Sequence, residues 1–182
     1  MVTVQELFEA CERIELGNAK IYAFFMIRLG AEDDRIADFW QGMSIEEWEH
    51  YIVLIFGRDL CARANMLHRP VPEVKRETLD RVLRLLEENE RWVQTGKYTL
   101  EDAFEMAVRF EASEGDIFFL RLVRLIREAI ERLGEPHLEN RIRQIENKLY
   151  RHHDELVRAI MRFARNPELV RAAREKLEVP AK

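Results

Sequence analysis

A glutamate in the middle of an apolar helical stripe constrains this chain more than any other feature. Val4, Phe8, Cys11, Glu15, Asn18, Tyr22, Phe25 and Leu29 recur at spacings of three and four, the repeat of one helix face. Three further stretches show the same intrusion. Glu47 and His50 fall on the stripe Ile36, Trp40, Met43, Leu54; Glu111 and Glu114 fall on Leu100, Phe104, Ala107, Phe118; His152 falls on Ile142, Leu149, Leu156, Phe163. A carboxylate seldom enters a core without something positive to neutralise it. Carboxylates and imidazoles converging on one bundle centre therefore point to a metal ion.

The local signals predict an all-α chain. Thr3-x-x-Glu6 is a capping box opening a helix that Gly30 ends. His68-Arg69-Pro70-Val71-Pro72 is a break, and so is Gly134-Glu135-Pro136. Thr99 caps the helix that follows Thr95-Gly96, and Asn166-Pro167 opens a last one. Four bundle helices are expected at about 3–29, 32–66, 99–133 and 137–165. A crossover helix is expected at 76–94 and a short C-terminal helix at 167–177. With 182 residues, one domain is expected. The expected architecture is a four-helix bundle of two helical hairpins, joined by a long crossover that contains the extra helix.

The hairpins repeat one another. Ile14-Glu15-x6-Tyr22 matches Phe110-Glu111-x6-Phe118, and Met43, His50 and Leu54 match Ile145, His152 and Leu156. Spacing also brings the polar residues level. Glu15 lies about 15 residues before the turn at Gly30 and Glu47 about 17 after it, which at ~1.5 Å per residue is nearly the same height. Glu114 and His152 stand at similar distances either side of Gly134. Glu47-x-x-His50 puts an oxygen and a nitrogen on one helix face one turn apart. Such mixed ligands suit iron or manganese, and zinc less well. In the fourth helix His152 and His153 are adjacent and the apolar period allows either to face inward.

Other classes are disfavoured. The net charge is −5 and no basic tract with interleaved aromatics occurs, so nucleic acid is not expected. No apolar run is long enough to span a bilayer. Cys11 and Cys61 form no CxxC pair, and the N-terminus lacks signal-peptide features, so a cytoplasmic setting is expected. Trp40, Trp48, Tyr51 and Phe56 give the second helix more aromatic surface than one core stripe needs, so a homodimer through that helix or the crossover helix is expected.

The pattern resembles the ferritin-like superfamily and, within it, the rubrerythrin-type diiron proteins. That family carries Glu, Glu-x-x-His, Glu and a second Glu-x-x-His on its four helices. Glu15, Glu47, His50 and Glu111 match the first three places, Glu114 is similar to the family's extra third-helix carboxylate, and Tyr22 to its supporting tyrosine. The resemblance covers about residues 3–165 and implies that the expected architecture is a ferritin-like four-helix bundle. It implies an iron site of one or two ions (manganese or zinc being alternatives), with Glu15, Glu47 and His50 on one ion, Glu111, Glu114 and His152 or His153 on the other, and Glu47 bridging the two. It implies an oxidoreductase of the peroxidase or ferroxidase type that handles peroxide, oxygen or ferrous iron. Two departures stand out. Leu149 occupies the place of the fourth-helix Glu, with Glu146 one turn earlier as the nearest substitute, and there is no rubredoxin-like segment, so an external electron donor is implied. The first departure keeps an alternative open: a degenerate bundle serving as a structural or binding module, with a mononuclear site or none.

Overall fold

The structure is a computed structural model. It describes residues 1–31, 33–113 and 115–177, without the side chains of 116, 141 and 145–151. Its elements are α1 (Val4–Leu29), α2 (Asp34–Arg63), α3 (Arg76–Gln94), α4 (Leu100–Glu111), α5 (Gly115–Leu133), a 3-10 turn (Pro136–Leu138), α6 (Glu139–Phe163) and α7 (Pro167–Leu177).

The ends of these helices follow from their capping residues. The first four N–H groups of a helix lack partners within it. In α1, Val4 N–H donates to Arg69 O, Gln5 N–H to Leu67 O, Glu6 N–H to Thr3 Oγ1 and Leu7 N–H to Thr3 O. Glu6 reaches back to Thr3 N–H at 2.8 Å, which completes the capping box. The crossover loop is thus tied to the start of the chain, and Met66, Val71 and Val74 are buried there. Thr99 and Asp102 form a second capping box on α4. Helix α2 stops at Arg63, three residues before the expected end. Asn65 takes a positive φ of 56°, Met66 N–H donates to Cys61 O and Asn65 N–H to Ala62 O, which is the left-handed C-terminal cap that asparagine tolerates. Gly134, at φ 68°, ends α5 in the same way.

The bundle is all-helical. Helices α1 and α2 form the first hairpin and pack along each other; α5 packs on both, and α6 packs on α5 and α2. Helix α3 lies against α1, and α7 against α4 and α6. Glycine lets two of these contacts close. A Cβ on Gly17 would stand 2.6 Å from Leu86 Cδ1 of α3, and one on Gly57 would overlap Ile126 of α5. The core runs through the bundle with Phe8, Tyr22, Phe25, Trp40, Phe104 and Phe119 as its largest fully buried side chains. Among the described residues no helix is long and apolar enough to cross a membrane.

One expected helix is two. The stretch 99–133 is interrupted after Glu111: Ala112 N–H donates to Val108 O, Ser113 N–H to Phe110 O, and Ser113 Oγ accepts from Gly115 N–H at 3.2 Å. A serine side chain offers the backbone an alternative to the helical ladder, and glycine weakens that ladder by about 1 kcal/mol relative to alanine. The heptad-like stripe of the sequence hid this break because apolar residues resume in phase on its far side.

Candidate metal centre

Four helices each bring a ligand-type side chain to one interior point. Glu15 comes from α1, Glu47 and His50 from α2, Glu111 from the last turn of α4 and His152 from α6. All five are buried; Glu47 is 3% exposed and His152 1%. They fall into two groups with a common member. One ligand atom each from Glu15, Glu47 and His50 lie within 4.8 Å of one another, and so do those of Glu47, Glu111 and His152. His50 Nδ1 is 3.4 Å from Glu15 Oε2 and 3.8 Å from Glu47 Oε2. His152 Nε2 is 3.2 Å from Glu47 Oε1 and 3.2 Å from Glu111 Oε1. The sequence repeat is therefore spatial: Glu15 with His50 faces Glu111 with His152, and Glu47 stands between them.

The supporting contacts fix the side chains. Tyr22 O–H donates to Glu111 Oε1 at 2.5 Å, and Tyr22 itself stacks on Trp40. His152 Nδ1 lies 2.7 Å from Glu46 Oε2. A carboxylate on one ring nitrogen selects the tautomer and turns the other nitrogen inward. The inward Nε2 is fully buried and, despite its two neighbours at 3.2 Å, has no aligned hydrogen-bond partner. His50 packs on Phe119, with ring centroids 4.8 Å apart.

Burial and the crowding of like charges dominate the electrostatics. Burial and the nearby Glu15 and Glu111 carboxylates push Glu47 up to about 8. Burial opposes a charge on His50, but hydrogen bonds to Glu15 and Glu47 outweigh it and raise the imidazole to about 10. His152 is raised well above its ordinary value, because Glu111, Glu46 and Glu47 overcome burial. Burial also acts on Glu111, yet His152 and Tyr22 hold it down to about 2. The two buried imidazoles are thus the positive partners that the enclosed carboxylates favour. The room left between Ile14, Glu15, Asn18, Glu47, His50 and Glu111 is about 10 Å³, the space of a single water-sized body. The break after Glu111 opens on this room, since Ser113 and Gly115 also line it.

The donor set fits a divalent transition metal: mixed oxygen and nitrogen atoms, a shared carboxylate, an oriented histidine and an inward nitrogen with nothing aligned to it. Buried Glu and His groups able to hold a metal are thus present. Of the expected ligands, Glu15, Glu47, His50, Glu111 and His152 meet. His153 is more remote, with Nε2 3.9 Å from Glu111 Oε2. Glu114 lies outside the described residues, as does the side chain of Glu146. Glu46 was missed by sequence reasoning; its only signal was its place beside Glu47, where the helical repeat turns it off the stripe. The fold and the centre define an all-helical bundle with an enclosed carboxylate–histidine cluster. No protein-family model, no curated protein and no solved structure matches the chain.

Proposed function

We propose that this protein is a ferritin-like, rubrerythrin-related metalloprotein whose bundle centre holds iron, as one ion or a pair, and that it handles peroxide, oxygen or ferrous iron. One observation carries the reading: two buried carboxylate–histidine groups share Glu47. Glu15, Glu47 and His50 would hold one ion; Glu111, Glu47 and His152 would hold the other. A pair of iron ions there supplies two electrons for reduction of an oxidant. The chain's own residues do the rest. Glu46 keeps His152 Nε2 turned inward. Tyr22 donates to Glu111 Oε1, the oxygen that faces His152 Nε2, and so fixes the orientation of that carboxylate. Phe119, Ile14 and Phe110 wall the centre and keep bulk water from it. Glu47 and His50 are both raised, so at neutral pH they would release protons on becoming ligands, and metal affinity would rise with pH.

Metal analysis of protein purified from metal-replete medium, then peroxide-driven oxidation of the ferrous form followed by absorbance, tests this. Two irons per chain and rapid oxidation are expected. Absence of iron, manganese and zinc would sink the proposal. A second reading has its own support: Leu149 stands where the fourth-helix carboxylate would be, so the group around His152 has one carboxylate fewer. A stoichiometry of one ion, lost in Glu15→Ala and retained in His152→Ala, would favour a mononuclear centre.

A further inference from the structure

Helix α2 carries two seams, and only one faces the bundle. Trp40, Met43, Glu47, His50, Leu54, Gly57 and Cys61 are all buried. On the opposite side a second run with the same 3–4 alternation holds Ile45, Trp48, Ile52 and Ile55, and every one is exposed: 51%, 49%, 48% and 37%. Gln41 precedes this run and Asp59 follows it in the same register, and both are also exposed. Phe56 lies beside Ile55, 43% exposed. Trp48 is braced by Tyr51, with ring centroids 5.3 Å apart, so the indole is held at the surface rather than folded inward.

A strict 3–4 stripe is the seam of a coiled coil, not the broader face of a bundle helix. Five half-open side chains of this size leave roughly 400 Å² of apolar surface in one strip. Two copies face to face would cover about 800 Å², which is the apolar share of a standard interface of about 1,600 Å².

We infer that this seam pairs with the same seam of a second copy, antiparallel across a two-fold axis. The register is self-complementary. Ile45 falls opposite Ile55 of the other copy, Trp48 opposite Ile52, and Gln41 opposite Asp59, where an amide meets a carboxylate. The parallel arrangement would set Asp59 on Asp59 and Asp38 on Asp38, like charges in contact, and would stack two indoles in one layer. This pairing goes beyond the metal reading and does not depend on it, since the seam faces away from Glu47 and His50.

The full chain with native metal content is the material for the test. Sedimentation equilibrium from 1 to 100 µM is expected to show a dimer, and Ile52→Glu to weaken it by about 100-fold while helical content and metal content stay unchanged. Ile45→Cys and Ile55→Cys chains, each alone, place the two thiols of a pair about 15 Å apart along the axis and should not cross-link. Mixed and mildly oxidised, they should form a disulfide-linked heterodimer. A monomer at 100 µM, a dimer indifferent to Ile52→Glu, or self-cross-linking of Ile55→Cys alone would each overturn the proposal. So would a monomer whose seam binds vesicles or a different protein.

Discussion

Glu47 belongs to both ligand groups, and that double membership sets what its loss should do. Glu47→Ala is expected to empty the whole centre, whereas Glu15→Ala should remove at most one ion; metal content of the purified variants distinguishes them. Glu46 belongs to neither group, yet it holds His152 Nδ1. Glu46→Gln is expected to lower metal affinity about 10- to 100-fold with little change in fold, measured by competition with a chelator. Proton linkage gives a third expectation. Glu47 has a folded pKa of about 8 against an ordinary 4.5, so its stabilising protonated form is fully present below about 4.5 and lost as pH rises through 8. His50 has the same sign, full below 6.5 and lost through about 10. Glu111 runs the other way, but its contribution is lost only as pH falls from 4.5 towards 2. The chelated protein should therefore melt at progressively lower temperature from pH 6 to 10, and Glu47→Gln should flatten the lower half of that curve. A melting temperature that stays level or climbs across the range would contradict the charge arrangement.

At the scale of elements, the helix pairs meet where side chains are absent. Gly57 lets α2 approach α5, and an added methyl would overlap Ile126. Gly57→Ala gains helix propensity of about 1 kcal/mol, yet overpacking of this kind costs about 1–3 kcal/mol. A net loss of stability in chemical denaturation is expected, and a gain would show that Ile126 has room to turn aside. Element ends were legible in sequence wherever a side chain caps its own backbone: Thr3 with Glu6, Thr99 with Asp102, Pro167 at the start of α7. They were misread where backbone conformation decides. Asn65 ends α2 by adopting a left-handed φ, and Ser113 divides the expected third bundle helix by accepting from Gly115 N–H. Neither residue forces that outcome by its identity, since both are tolerated within helices. The tertiary setting selects it, and in the second case the break lies against the ligand cavity.

For the whole molecule, a metal bound by four helices should act as a staple. At a free concentration 100 times the dissociation constant, binding stabilises by about 2.7 kcal/mol, which for a chain of this size moves the melting temperature by about 5–10 °C. Chelation followed by differential scanning calorimetry should show a fall of that order, fully reversed by readdition of ferrous iron. The sequence by itself determined that the chain is helical, that the helices form two similar hairpins, and that glutamates and histidines sit on their inner faces, because periodicity and spacing act along a single helix. Only the tertiary structure decided that His152 rather than His153 turns to the centre, and that Glu46 crosses from α2 to hold it. These depend on the rotation and height of one helix against another. A few degrees of turn exchange a ligand for a neighbour, and that angle is set by packing across the bundle, which no local repeat records.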